Sequence, residues 1–439
     1  ITLPESLTSI SYYAFSGCSS LTSITLPESL TSISDCAFSG CSSLSAITIP
    51  AGVTSIGEYV FKDCNSLQSI DVAEENINYK SIDGVLLDKD VTTILFYPIG
   101  KIGVYEIPEG VTSIRNYAFR NCSSLTSITL PESLISIGDY AFSGCSNLVS
   151  IVIPEGVTSI GNETFGGCSN LASITLPESL TSIGNYAFYN CNSLASITIP
   201  EGVTRIGNGT FSGCSSLASI TIPEGVTFIG THAFSYCSSL ASITIPEGVT
   251  SIGNYTFTGC SHLQSIDVVE DNANYKSIDG VLFNKNVTTL FVFPAEKSST
   301  YVIPEGVTEI GVTAFWGCSS LTTITLSKSL ISIGSYAFKN CSNLISIVIP
   351  EGVTSIGNET FWGCHNLQEI YNQAIIPPTC GSDCFVDVDQ TTCTLYVPQG
   401  LLAEYKLADE WKDFVNIVEE EYTGIEEVGA DSAGQAVIT

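Results

Sequence analysis

Apolar side chains recur along this chain with a period of 23 residues, beginning at the first residue. In the repeat 174–196 they stand in short bursts separated by polar residues: Ile174, Leu176, Leu180, Ile183, Ala187, Phe188, Cys191 and Leu194. Alternation in the first burst predicts a strand that turns Ile174 and Leu176 inward and Thr175 outward. Because short repeats bury their apolar sides only against their neighbours, this period predicts a repeat solenoid.

The first strand of each repeat has a defined sequence and a defined end. The stretch from Leu171 through Ile174 to Leu176 resembles the L-x-x-L-x-L strand of leucine-rich repeats. Pro177 follows at once and ends the strand, because proline lacks the N–H group that a ladder needs. Stacked copies of this strand predict a parallel β-sheet along one face.

The rest of each repeat predicts the opposite face of the solenoid. A second extended piece, 180–183, precedes Ala187 and Phe188. We expect these two residues in a short 3₁₀ or helical turn that places the phenylalanine ring in the core. The predicted fold is therefore a leucine-rich repeat solenoid with short strands and 3₁₀ or helical turns on its second face.

About fifteen repeats fill residues 1–369, and two of them, 70–104 and 266–300, are 35 residues long. The long repeats resemble each other more than their neighbours, since the segment 78–86 recurs at 274–282. Their alternating residues around an Asp-Gly pair predict a β-hairpin in each. We expect two hairpins that project from the solenoid.

The 23-residue period fails after Ile370, which predicts a different role for the end of the chain. The segment 370–421 has its own aromatic pattern and is predicted to be a C-terminal cap that shields the last coil. Residues 422–439 are rich in Gly, Glu, Ala and Ser and are predicted to be a tail or linker. The chain opens in the middle of a repeat and contains no methionine, so we expect a fragment or processed form of something longer.

The composition narrows the classes of partner. Hydrophobic residues make up 44% of the chain and charged residues 13%, so a large core is expected. The 44 acidic and 14 basic side chains give a net charge of −30. This charge opposes binding to nucleic acid, whose phosphates need Lys and Arg. No run of about 18 apolar residues occurs, so no transmembrane segment is predicted.

Most of the 17 cysteines share one column of the repeat, and these are predicted to be free, buried thiols. Cys380, Cys384 and Cys393 lie outside that column near the C-terminus. A Cys380–Cys384 or Cys384–Cys393 disulfide is one interpretation. A zinc site that borrows His365 is the other, although four ligands at zinc spacing are not evident.

Acidic residues form a column of glutamates and two acidic turns. Each could be a solvated surface or could bind a cation. A column of glutamates follows the proline and is interpreted as a solvated edge, with a calcium-gathering or basic-partner role as the alternative. The two long repeats each open with an acidic turn, with Asp71 and Glu74 in the first and Asp267 and Asp271 in the second. These carboxylates are calcium candidates by ligand type, but EF-hand spacing is absent.

Two groups of residues are candidates for binding a partner. The outward side of the first strands is rich in hydroxyl groups, among them Thr175, Thr198, Thr221 and Thr244. Such an array suits a glycan or an extended polypeptide, although β-branched threonine also simply suits an exposed strand.

The second group is aromatic. Trp316 and Trp362 occupy one column two coils apart, with Tyr336 as a neighbour. Exposed tryptophans favour binding, while packing against the cap is the alternative.

Catalytic motifs are not found. The three histidines occur singly in variable positions, and no G-x-S-x-G, HExxH or phosphate-cradling glycine loop is present. The sequence therefore predicts neither an enzyme nor a cofactor.

The segment 197–207, which reads Ile-Thr-Ile-Pro-Glu-Gly-Val-Thr-Arg-Ile-Gly, closes with Thr-Phe-Ser-Gly-Cys at 210–214. This pattern strongly resembles the BspA-type, or Treponema pallidum-type, bacterial leucine-rich repeat. The hairpin repeats and the cap residues around Trp411 are also similar to companions of this repeat in surface proteins of host-associated anaerobes.

The resemblance implies a cell-surface or secreted protein that adheres to host matrix proteins or to other cells. We expect a monomer whose partner is an extracellular protein or glycan. The alternative is an architectural spacer that presents a domain absent from this chain.

Overall fold

The computed structural model describes residues 1–421, 428–430 and 436–438. They divide into two compact units, Ile1–Val226 and Thr227–Thr439. Each unit is a parallel β-solenoid in which a residue pairs with its equivalent one repeat later, as Ile151 does with Ile174 and Ile324 with Ile347. The predicted repeat solenoid is confirmed.

The strands of the first sheet end at, or one or two residues before, the repeat position that proline occupies in most coils. In the N-terminal unit they are Ala46–Ile49, Ser69–Val72, Gly103–Glu106, Leu125–Thr129, Ser150–Val152 and Ser173–Thr175, together with single bridges Thr2–Thr25 and Thr198–Thr221. In the C-terminal unit they are Ser242–Ile245, Ser265–Val268, Thr300–Val302, Thr323–Thr325, Ser346–Ile349, Glu369–Asn372, Thr394–Pro398 and Asn416–Glu420.

The second sheet consists of two-residue strands that bury their second residue or leave it half-buried. In the N-terminal unit they are Ser9–Ile10, Ser32–Ile33, Ser55–Ile56, Ser113–Ile114, Ser136–Ile137, Ser159–Ile160, Ser182–Ile183 and Arg205–Ile206. In the C-terminal unit they are Phe228–Ile229, Ser251–Ile252, Glu309–Ile310, Ser332–Ile333, Ser355–Ile356 and Thr379–Cys380.

In each unit, one phenylalanine and one cysteine of nearly every 23-residue coil pack between the sheets and build the core. The rings of Phe142 and Phe165 stack with centroids 5.5 Å apart, and Phe188 continues the stack at 5.7 Å. The Cys168 thiol donates to the Phe142 carbonyl of the preceding coil at 3.2 Å. A buried sulfhydryl therefore packs as an apolar group and also satisfies a backbone acceptor.

The segment around Ala187 and Phe188 is not the predicted 3₁₀ or helical turn. Tyr186 and Asn190 have φ of 56° and 55°, outside the helical region. The backbone N–H of Tyr186 donates to Asn208 O of the next coil at 2.8 Å. The N–H groups of Tyr189 and Cys191 instead donate to the carbonyls three residues back. The segment is therefore a series of β-turns whose remaining N–H groups bond to the next coil.

The two hairpins are present, but they do not project. Tyr79–Ile82, Val85–Asp88 and Thr93–Phe96 pair antiparallel, as do Tyr275–Ile278, Val281–Asn284 and Thr289–Val292. Leu86 is 1% exposed, and Ile94 pairs parallel with Ile114 of the second sheet. Burial of apolar side chains on the middle strand holds each hairpin in the solenoid wall.

The segment 370–421, predicted to be a cap, continues the parallel ladder of the C-terminal unit. Ile370 pairs with Leu395, and Leu395 pairs with Ile417. In the part of the chain that the structure describes, helix occurs only here, in the α-helix Leu402–Tyr405 and the 3₁₀-helix Trp411–Asp413. Trp411 is fully buried against Phe385, with ring centroids 5.1 Å apart, and covers the end of the phenylalanine stack.

Most of the segment predicted to be a tail or linker, 422–439, lies outside the described residues. Two strands are described there, Val428–Ala430 and Ala436–Ile438, which pair antiparallel. The tail assignment stays a prediction.

Candidate functional site

Three aromatic residues of the C-terminal unit converge on one lysine. Lys339 Nζ lies 4.2 Å from the ring centroid of Trp362, 5.2 Å from that of Trp316 and 5.3 Å from that of Tyr336. Trp316, Lys339 and Trp362 occupy the same position in three successive repeats, so the coils stack their side chains in a row. The structure thus brings together all three aromatic residues predicted to form a site.

Electrostatics favour this arrangement. Lys339 Nζ lies 2.5 Å from Glu359 Oε2, and their side chains are only 16% and 21% exposed. The negative faces of the rings attract the ammonium, and partial burial strengthens both interactions. Glu359 also raises the pKa of the Tyr336 hydroxyl. The ring contacts of the cap are made by Trp411 instead, which does not support packing of the two tryptophans against the cap.

Lys339 and Glu359 were not among the site residues predicted from the sequence. The signal for the lysine was the Trp-Lys-Trp row at 23-residue spacing, since a cation between two aromatic residues in one column is placed for cation–π contact. Glu359 gave no comparable signal, because it lies in a different column of the repeat.

The predicted hydroxyl face lies where the alternation placed it. Thr175, Thr198, Thr221 and Thr244 are all exposed. Thr198 pairs directly with Thr221 in the N-terminal unit, and Thr244 pairs with Asp267 in the C-terminal unit. The face is therefore a surface of regularly spaced hydroxyl groups on the first strands. Trp316 and Trp362 lie in a different part of the repeat, the turns.

The calcium candidates surround turns in which a lysine already contacts the backbone oxygens. Lys285 Nζ donates to Glu270 O at 3.0 Å and to Asn272 O at 2.6 Å. Lys89 bonds to the matching carbonyls in the first long repeat. Two of the four candidate carboxylates, those of Asp71 and Asp267, accept hydrogen bonds from nearby serines.

Glu74, like Asp271, is exposed. Within residues 1–421 no group of three or more His, Cys, Asp or Glu side chains is placed to hold a metal ion. The carbonyls that a calcium ion would use bind an internal ammonium group instead.

The three C-terminal cysteines occupy core positions of an additional coil. Cys380 pairs with Ile356 of the preceding coil, and Cys384 stands where most coils have alanine before the core phenylalanine. Cys380, Cys384 and Cys393 are free thiols in the structure. A hydrogen bond with the Cys384 thiol and burial both raise the pKa of Cys380. The Cys380–Cys384 and Cys384–Cys393 bridges both stay predictions, and the proximity of the two thiols supports the first. The zinc site with His365 also stays a prediction, and the His365 side chain is exposed.

Residues 1–85, 89–216, 181–299 and 291–396 match the family described as the BspA type leucine rich repeat region, in six copies. The chain belongs to this family. The resemblance that its motifs indicated is thereby confirmed. Proteins of the BspA-type leucine-rich repeat family are generally not enzymes, in keeping with the absence of catalytic motifs from this sequence.

Solved structures of bacterial leucine-rich repeat proteins are similar to this chain. A leucine-rich cell surface protein of Faecalibacterium prausnitzii is 30% identical over 79% of this chain and 95% of its own, with a TM-score of 0.61. A leucine-rich repeat protein of Bacteroides ovatus is 26% identical over 95% and 90%, with a TM-score of 0.40.

The T. pallidum leucine-rich repeat protein is 33% identical over 44% of this chain and 89% of its own, with a TM-score of 0.38. No protein with a curated description matches the chain. Among the described residues, no helix is long and apolar enough to cross a membrane.

Proposed function

We propose that this BspA-type protein is a non-catalytic, cell-surface or secreted interaction protein that binds an extracellular protein or glycan and thereby mediates adhesion. The observation that carries the proposal is the cluster of Trp316, Tyr336 and Trp362 around Lys339. Large rings are concentrated at the contact residues of protein interfaces, because they bury much area at little conformational cost. The family and the cell-surface relative support the proposed location.

The rings of the cluster are ordered before a partner binds. Trp316 and Trp362 are half-buried, so each ring keeps an accessible part while its orientation is fixed by Lys339. Pre-ordered rings lose little side-chain entropy when a partner covers them. The hydroxyl face of Thr175, Thr198 and Thr221 offers a second, more polar surface for the same kind of partner.

Binding of the chain to an array of extracellular matrix proteins and glycans, with and without calcium, tests the proposal. We expect saturable binding to at least one member and a loss of at least tenfold in affinity when Trp316 and Trp362 are both replaced by Ala. Tyr189→Ala is a matched control, because Tyr189 is 40% exposed but lies in the other unit. Absence of binding across both arrays would contradict the proposal.

The regularity of the hydroxyl face favours an architectural spacer as the second candidate function. Thr198 and Thr221 are chemically identical neighbours, which gives a partner little to distinguish one coil from the next. Under this alternative, lysine at Thr175, Thr198 and Thr221 leaves cell adhesion unchanged. A loss of adhesion in the triple variant, with the fold intact by circular dichroism, would favour the interaction protein.

A further inference from the structure

Each long repeat creates a cleft beside its hairpin, and the two clefts are built from equivalent positions. The cleft of the N-terminal unit is lined by Tyr59, Phe61 and Phe96 among others. The cleft of the C-terminal unit is lined by the residues 196 positions later, Tyr255, Phe257 and Val292. The two clefts therefore have equivalent positions in the repeat but different side chains.

The N-terminal cleft is nearly closed by its own side chains, and its volume is about 40 Å³. The rings of Tyr59 and Tyr117 meet across it with centroids 4.5 Å apart. Arg115 forms an ion pair with Glu58 at 3.5 Å. Arg115 and Arg120 both line this cleft, so the chain supplies two guanidinium groups to it.

The C-terminal cleft, named the open cleft, leaves more space between its side chains, with a volume of about 150 Å³. Gly311 stands where the first cleft has Arg115, and Thr313 stands where it has Tyr117. Trp316 replaces the second arginine, Arg120. Thr258 stands where the first cleft has Lys62. The substitutions therefore remove all three cations and the closing ring, yet aromatic walls remain at Tyr255, Tyr275, Phe291 and Trp316.

Two polar groups in the open cleft point to a hydrogen-bonding ligand. Thr258 lines the cleft and is 6% exposed, and its hydroxyl has no hydrogen-bond partner among the described residues. An unpaired buried hydroxyl is unfavourable, and a ligand donor would supply its missing partner. Glu309 places a carboxylate at the exposed part of the lining, where Thr289 donates to it at 3.3 Å.

We propose that the open cleft binds a basic side chain, arginine or lysine, of a partner polypeptide. The cation enters where the N-terminal cleft has the chain's own Arg115 and Arg120. Aromatic faces and Glu309 attract it, and the Thr258 oxygen accepts a hydrogen bond from it. This inference rests on the proposed interaction function and names the chemistry of the partner.

Charge separates this ligand from the alternatives. An anionic group would meet Glu309 and a chain of net charge −30, and the cleft lining contains no Lys or Arg to receive it. Lys339 Nζ lies 5.2 Å from the Trp316 ring centroid and is paired with Glu359 at 2.5 Å. The same chain therefore already holds one cation against this aromatic group.

Quenching or enhancement of tryptophan fluorescence by Nα-acetyl-arginine amide tests the site, since Trp316 is one of three tryptophans in the chain. The neutral isostere Nα-acetyl-citrulline amide is the matched control probe. We expect a saturable change with Kd on the order of 1 mM for the arginine probe and at least tenfold weaker binding of citrulline. Equal responses to both probes would overturn the proposal.

Variants that carry side chains of the N-terminal cleft provide a second test. The double substitution Gly311→Arg with Thr313→Tyr reproduces the N-terminal side chains and is expected to abolish probe binding, while Glu309→Gln weakens it about tenfold. Tyr189→Ala, in the N-terminal unit, leaves the affinity unchanged. Unaltered affinity in the double variant, with its thermal midpoint retained, would also overturn the proposal.

The outcomes also separate this inference from the proposed function. If the matrix or glycan array shows a saturable partner but the arginine probe does not bind, the interaction function stands and the basic-side-chain site does not. If the probe binds and the array is blank, the cleft assignment holds while the proposed adhesion fails.

Discussion

Lys339 Nζ lies 4.2 Å from the ring centroid of Trp362 and 2.5 Å from Glu359 Oε2. One ammonium group therefore connects an ion pair to an aromatic cluster on the surface of the C-terminal unit. Because both charged side chains are mostly shielded from water, their interaction is stronger than that of a typical exposed pair.

Replacing Lys339 by Met is expected to lower the free energy of unfolding by about 2 kcal/mol. Methionine keeps an apolar stem against the rings but leaves the Glu359 carboxylate without its partner. Urea unfolding measures the effect. The double variant Lys339→Met with Glu359→Gln should recover at least half of this loss in free energy. A loss equal to the sum of the losses in the two single variants would contradict the coupling.

Asn272 is predicted to stabilise the second acidic turn rather than to ligate a metal. Its side chain is fully buried, with Nδ2 donating to Pro246 O and Val249 O and Oδ1 accepting from two backbone N–H groups. Asn272→Ala leaves these groups unpaired and should cost about 3 kcal/mol of unfolding free energy. The exposed neighbour Asn274→Ala is the control, with an expected change below about 0.5 kcal/mol.

Calcium is expected to leave the thermal midpoint unchanged. The Lys285 ammonium already binds Glu270 O and Asn272 O, so a second cation would have to displace it. Differential scanning calorimetry in calcium and in EDTA measures this. A calcium-dependent rise in the midpoint that disappears in Asp267→Asn would instead establish these turns as a calcium site.

The stacked thiols predict a loss of stability at alkaline pH. Burial raises the pKa of Cys168, Cys214 and Cys260 to about 12, against 9.0 for an ordinary thiol. A raised native pKa means that the stability is complete below pH 9 and is lost as pH rises from 9 towards 12, because only the unfolded chain ionises there.

Urea unfolding at intervals from pH 8 to pH 11 measures this loss. The slope should reach about 1.4 kcal/mol per pH unit for each thiol that ionises only on unfolding. Cys168→Ala should reduce the slope above pH 9 while also lowering stability below it. An unchanged slope in that variant would show that the thiol does not contribute.

Sequence patterns predicted the solenoid, the inward side chains and the buried cysteine column, because each depends on a residue type that recurs at one position. They predicted the hairpins but not their burial, since the apolar middle strand around Leu86 packs only once a preceding coil supplies a surface. The turn at Tyr186 also differed from prediction, because tyrosine gives no local signal for positive φ.

What the sequence alone determined is the repeat and its core: a period of 23 residues places Ile, Phe and Cys inward in nearly every regular coil. Only the tertiary structure decided which variable residues act together. Stacking brings Trp316, Lys339 and Trp362 into contact although 46 residues separate the first from the last. It also decided that one hairpin cleft is closed and its duplicate open, because closure depends on whether side chains from different coils meet across the gap.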